Sequence, residues 1–114
     1  MDKLLSMIGL AYKAGKLKFG SDGVIEAVRS KHKPELVLTA AGASEGSLKK
    51  IKDACSYHNV KHIELIQDMK ALGHIVGNRA SLMCVAILDK GFAARIAELT
   101  KGGPTDNISS AGGN

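Results

Sequence analysis

Apolar residues in this chain switch repeatedly between helical spacing and short continuous runs, and few folds can absorb such an alternation. Leu4, Leu5, Ile8, Ala11 and Tyr12 fall at i, i+3 and i+4 spacings, which predicts an amphipathic helix ended by Gly15. A short extended segment, Leu17 to Phe19, leads into a helix from Asp22 to about Ser30, with Val24, Ala27 and Val28 on one face. Pro34 closes that region and opens Glu35 to Ala40, whose Leu36-Val37-Leu38 centre reads as a buried strand. Gly42 breaks the strand, Ser44 is placed to cap a helix carrying Leu48, Ile51, Ala54 and Cys55, and Asn59 ends it. The second half repeats this logic. His62 to Ile66 is extended, Asp68 caps a short helix through Val76 that Gly77 terminates, Met83 to Leu88 is a buried strand, and Phe92, Ala93, Ile96 and Ala97 form a last helical face. The alternation predicts an α/β fold: a single-domain, three-layer α/β/α sandwich with helices on both faces of a four-stranded, mixed sheet.

With 114 residues, 45% hydrophobic and 24% charged, the chain has the size of one compact domain able to bury a core. That domain is expected over residues 1–100. Residues 101–114 hold Gly-Gly-Pro-Thr-Asp-Asn and Ser-Ser-Ala-Gly-Gly-Asn, too little apolar surface to order themselves, and read as a flexible tail. The N-terminus has neither the long apolar run of a membrane span nor a signal-peptide layout, so a cytoplasmic protein with no membrane partner is the simplest reading.

The stretch Gly15 to Gly23 carries the most chemistry. It delivers a short basic strand into a helix start where Ser21 is placed as N-cap, and free N–H groups flanked by Lys16 and Lys18 suit a phosphate. An ordinary strand-to-helix turn accounts for the same residues equally well. Charge supports an anionic partner: residues 1–33 carry seven Lys/Arg and three Asp/Glu, which places +4 of the chain's net +5 beside this stretch.

No catalytic constellation accompanies it. His32, His58, His62 and His74 are scattered over different elements, and no metal-ligand spacing or nucleophile-elbow pattern lies near them. Gly42-Ala43-Ser44-Glu45-Gly46 lacks the lysine and the glycine spacing of a P-loop. Cys55 and Cys84 sit in apolar patterns and read as reduced core residues. No enzyme, metal or cofactor is expected. Aromatics are only 4% of the chain, with no Trp, which argues against a stacking platform for single strands.

Several segments taken together resemble the ribosomal L7Ae/L30e superfamily of kink-turn RNA-binding proteins. They are Leu10-Ala11-Tyr12-Lys13-Ala14-Gly15-Lys16, Phe19-Gly20-Ser21-Asp22, Glu35-Leu36-Val37-Leu38-Thr39-Ala40, Ala71-Leu72-Gly73 to Gly77, and Cys84-Val85-Ala86-Ile87, spanning about Leu4 to Leu99. Ala14-Gly15-Lys16, Tyr57 before Asn59-Val60, and Asp89-Lys90-Gly91-Phe92-Ala93 look closest to its bacterial YlxQ-type branch. The resemblance implies non-catalytic binding of structured RNA, either rRNA or another kink-turn RNA, with the ribosome as a possible setting. It also implies a site. A segment at the start of the second helix, here Gly20-Ser21-Asp22-Gly23, enters the RNA major groove, and a hydrophobic loop, here Asn78-Arg79-Ala80-Ser81-Leu82-Met83, covers a flipped-out nucleotide with Leu82 as its apolar lid. The turn at Ala41-Gly42-Ala43 lies close to the RNA, and Lys16, Lys18, Lys33 and Arg79 are expected around the same edge.

This chain departs from that pattern. Asp22 stands where the family has Asn or Lys, Gly23 where it has Glu or Gln, Glu26 where lysine is frequent, and Ala41-Gly42 where an acidic pair is usual. A guanine edge presents acceptors, to which an ionised Asp22 cannot donate. A protein-interaction adaptor on the same fold is therefore the rival reading, with a small α/β enzyme built from scattered residues a further alternative.

Overall fold

The computed structural model describes residues 2–101. Five helices alternate with four strands: α1 (Lys3–Lys13), β1 (Leu17–Phe19), α2 (Ser21–Arg29), β2 (Leu36–Ala41), α3 (Glu45–Tyr57), β3 (His62–Asp68), α4 (Met69–Ile75), β4 (Cys84–Ile87) and α5 (Lys90–Lys101). Lys101, expected in the tail, is the last residue of α5; the rest of the expected tail lies outside the described residues. The sheet order is β1-β4-β2-β3, with β4 antiparallel to both neighbours and β2 parallel to β3. The expected α/β architecture and mixed sheet are found.

Strand alternation builds the three layers. Leu36, Leu38 and Ala40 of β2 point to one face with Val85 and Ile87 of β4, where Leu4 and Ile8 of α1, Leu72 of α4 and Ile96 of α5 cover them. Val37, Cys84 and Ala86 point the other way, against Val24 and Val28 of α2 and Ile51 and Cys55 of α3. Burial pushes the Cys55 thiol up to about 11 and Cys84 up to about 12, so both stay protonated and serve as packing groups.

Local capping follows the sequence closely. The Ser44 hydroxyl accepts from Ser47 N at 3.3 Å, and the Asp68 carboxylate accepts from Ala71 N at 2.8 Å. Asp2 does the same for α1, accepting from Leu5 N at 3.1 Å, a cap that the sequence reading did not single out. α3 ends with Asn59 at φ 61°, and Val60 N donates back to Cys55 O at 2.8 Å, the closing bond of a Schellman turn.

Thr39 is the buried polar residue of β2, and its hydroxyl oxygen lies 2.9 Å from His62 Nε2 on the neighbouring strand. Burial holds the His62 imidazole below its ordinary value of 6.5, against an opposing pull from Glu64 and with some help from Lys52. The unfolded chain thus binds a proton that the folded one resists, so stability is complete above about pH 6.5 and declines as pH falls through the folded value. Urea denaturation at pH 7.5 and 5.5 should show that loss, and His62→Gln should flatten it. An unchanged pH dependence in the variant would assign the loss to other groups.

Candidate nucleic-acid interface

One end of the sheet gathers four connections. Gly20 N donates to Cys84 O at 3.1 Å, Ala40 N to Met83 O at 2.7 Å and Leu82 N to Met69 O at 2.9 Å, while Ala41 pairs with Asp68. The β1–α2 turn, the β2–α3 turn, the start of α4 and the α4–β4 loop therefore stand side by side. Gly20, Ser21, Asp22, Gly23, Ala41, Gly42, Arg79, Ala80 and Ser81, far apart in sequence, are brought to this end.

The α2 start differs from its sequence reading. The N-cap is Gly20, at φ 84° and ψ 153°, a conformation that disfavours any side chain, and no side chain caps the first turn. Ser21 is instead the first helical residue, and its hydroxyl points at Met83 Sδ, 4.0 Å away. The capping role expected of Ser21 is thus corrected: the chain needs the glycine's torsion to turn from β1 into α2, and that shifts Ser21 one position inward. The first-turn N–H groups carry the positive end of the helix dipole with no side-chain acceptor on them. Asp22, exposed in that turn, partly offsets this field.

The α4–β4 loop is seated directly on α4. Arg79 N donates to Gly73 O at 2.8 Å, and a Cβ on Gly73 would lie 2.8 Å from Ser81 Cα and 2.9 Å from Arg79 O. Only glycine admits that approach. The loop exposes Asn78 through Ser81 and turns Leu82 inward, where it is 8% exposed among Leu65, Leu72 and Val76 of the α1/α4/α5 core. The exposed placement expected of Leu82 is corrected accordingly: most of the side chain is spent on the core and little of it is left for a base. Met83 is partly buried against the opposite core.

What the loop presents outward is Arg79. Its guanidinium carbon lies 3.9 Å from the centroid of the Phe19 ring, and Tyr12 meets Phe19 edge-on at 6.1 Å and 66°. The sequence places Phe19 at the end of a strand and in a family-like segment but does not show this contact, because nothing local links it to Arg79.

The lysines separate. Lys18 is exposed on β1 close to the gathered loops, whereas Lys16 O accepts from Leu88 N beyond the other end of β4, about 13 Å from Gly20 at the rise of an extended strand. Lys33 lies past the C-terminus of α2, where its ammonium donates to Ser30 O at 3.0 Å. A nine-residue helix, about 13 Å long, stands between it and the Gly20 turn. The expectation that Lys16 and Lys33 border the same edge is corrected by this topology.

Among the described residues no group of three His, Cys, Asp or Glu side chains is placed to hold a metal ion, and no helix is long and apolar enough to cross a membrane. The end of the sheet offers N–H groups, a guanidinium plane and an ammonium, a set suited to binding an anion.

Residues 2–97 match the model of the ribosomal protein L7Ae/L30e/S12e/Gadd45 family. The chain belongs to that family. The RNA-binding protein YlxQ of Enterococcus faecium is 36% identical over 100 residues, covering 88% of this chain and 93% of that protein. The RNA-binding protein YlxQ of Bacillus subtilis (strain 168) is 34% identical over 93 residues, covering 82% and 90%. A solved structure of a protein of unknown function from Bacillus halodurans superposes with a TM-score of 0.81 at 27% identity, covering 89% of this chain and 99% of that one. The 15.5kD RNA binding protein of Giardia lamblia shares the fold, with a TM-score of 0.71 at 21% identity over 85% and 81% of the two chains.

Proposed function

We propose that this L7Ae-family chain binds structured RNA without catalysis, at the end of the sheet where the β1–α2 turn meets the α4–β4 loop, and that a bent, kink-turn-like RNA is its target. The observation that carries the reading is the uncapped first turn of α2 flanked by Lys18 and by an outward-facing Arg79. Two relatives named as RNA-binding proteins support it. Phosphate oxygens suit the N–H groups and the two cations, and these contacts position the RNA whatever its sequence. Gly20, Gly23, Ala41 and Gly42 contribute small backbone surfaces that let a phosphate chain approach closely. The RNA is either rRNA or a kink-turn in another transcript, and sucrose-gradient sedimentation separates the two: co-sedimentation with ribosomes favours the first and its absence the second.

Fluorescence anisotropy against a panel of kink-turn RNAs and a straight duplex, at low and physiological salt, tests this reading. The kink-turns should bind more tightly. Lys18→Ala and Arg79→Ala should each reduce the slope of log affinity against log salt by about 0.7–0.9, the share of one released counterion, while Lys16→Ala and Lys33→Ala should change it less. Equal affinity for bent and straight RNA would reduce the site to a general basic surface. A second reading, an adaptor that binds protein, is favoured by Tyr57, which is 87% exposed beside a groove between α2 and α3 lined by Ile25, Arg29 and Ala54. Absence of RNA binding at low salt would favour it.

A further inference from the structure

We propose that Phe19, braced by Tyr12, is the positioning residue for Arg79, so that the cation of the RNA site is fixed before RNA arrives; this rests on the RNA-binding reading above. An exposed loop arginine ordinarily samples many rotamers, and binding must pay to still it. Here both ends of the residue are held. Its backbone N–H donates to Gly73 O at 2.8 Å, and its guanidinium lies over the Phe19 ring at 3.9 Å. Phe19 is itself restrained, being packed against the α1/α4/α5 core and met edge-on by Tyr12. Among the described residues no carboxylate forms an ion pair with Arg79; the pairs present are Lys49–Asp53, Lys52–Glu64 and Arg95–Glu98. The ring therefore orients the guanidinium while leaving its charge available.

The ring meets the guanidinium from one side at 3.9 Å, and the five N–H donors of the cation exceed what a ring can engage, so donors remain for an anion. Phe19 also directly precedes Gly20, so the same strand end that opens α2 carries the platform for Arg79. The two halves of the site, the α2 start and the α4–β4 loop, are in this way joined by a contact between side chains.

A double-mutant cycle read by anisotropy with a kink-turn RNA decides the point. Arg79→Ala should weaken binding about ten-fold or more, as expected for a lost charge-assisted hydrogen bond. Phe19→Leu should weaken it about two- to five-fold, the worth of one exposed cation–π contact, and that loss should vanish in the Arg79→Ala background. Phe19→Tyr should restore wild-type binding. A Phe19→Leu loss of equal size in both backgrounds would make Phe19 merely structural and overturn the proposal, as would no loss at all. Should Phe19→Leu melt far below the wild type, Arg79→Lys is no substitute, because an ammonium can also sit over the ring and lacks the fork that grips phosphate. Unlike Phe19→Leu, that variant leaves the ring in place and tests only the guanidinium, so the fallback is instead Phe19→Met, which keeps an unbranched apolar side chain against the core without the ring: a loss confined to the Arg79 background supports the proposal, and an equal loss in both backgrounds or none overturns it. Normal RNA binding by Arg79→Ala, with Lys18→Ala still defective, removes this inference alone, whereas a wild-type protein that binds no RNA removes the reading beneath it.

Discussion

Leu82→Ala should destabilise the protein by about 2–5 kcal/mol, the range for truncating a buried leucine, while the molecules that remain folded bind RNA as before. In a domain of this size that corresponds to a fall in melting temperature of about 10–25 °C. The side chain is 8% exposed within the core formed by α1, α4 and α5, and its backbone N–H is committed to Met69 O at 2.9 Å. Truncation leaves a cavity beneath the loop, since Leu65, Leu72 and Val76 are held by their own elements and cannot collapse fully into the space. A thermal melt combined with anisotropy on the folded fraction checks both halves. If the variant melts normally and binds RNA poorly, Leu82 is an exposed lid and its core assignment is wrong.

Asp22→Asn should strengthen binding to a kink-turn RNA by about 1–3 kcal/mol, the discrimination carried by one good base contact. An ionised carboxylate at the start of α2 only accepts hydrogen bonds and repels phosphate, whereas the amide donates to the acceptors of a guanine edge. The same change should slightly lower thermal stability, by about 0.3–1 kcal/mol, because Asp22 is the acidic residue of the first turn of α2 and complements the helix dipole where no side chain caps it. Opposite signs for affinity and stability are the signature. Calorimetric melts beside binding titrations measure the two together. Affinity that stays level or drops would mean that residue 22 faces no base in this protein, and that phosphate contacts by Lys18 and Arg79 carry the interaction.

The position of Asp22 shows how the site trades one requirement against another. Gly20 leaves the α2 start without a side-chain cap, and the acid then stabilises the helix at some cost to an approaching anion. On the RNA-binding reading, Arg79 adds positive charge near the turn, and its contact with Phe19 limits the entropy spent on holding it there.

Much of the fold was legible in the residues alone, because the signals involved are local. Helical spacing in Leu4, Ile8 and Ala11, the apolar run Leu36-Val37-Leu38, and the caps Ser44 and Asp68 each depend on neighbours within a few positions, so element order and the two-sided sheet follow directly. The family likeness was legible for the same reason, being carried by short motifs in a set order. Tertiary structure alone decided the rest. Strand order β1-β4-β2-β3 is a pairing of distant segments, and it brings the β1–α2 turn beside the α4–β4 loop. The loop from Asn78 to Met83 has no period, so nothing in its sequence says that Leu82 turns inward and Arg79 outward; Gly73 decides it by letting the loop lie on α4. Phe19 and Arg79 meet only because β1 and the α4–β4 loop end at the same edge. Local patterns determine which elements a chain forms, whereas contacts between remote residues are set by how those elements bury their apolar faces against one another, and that choice is made only when the whole core closes.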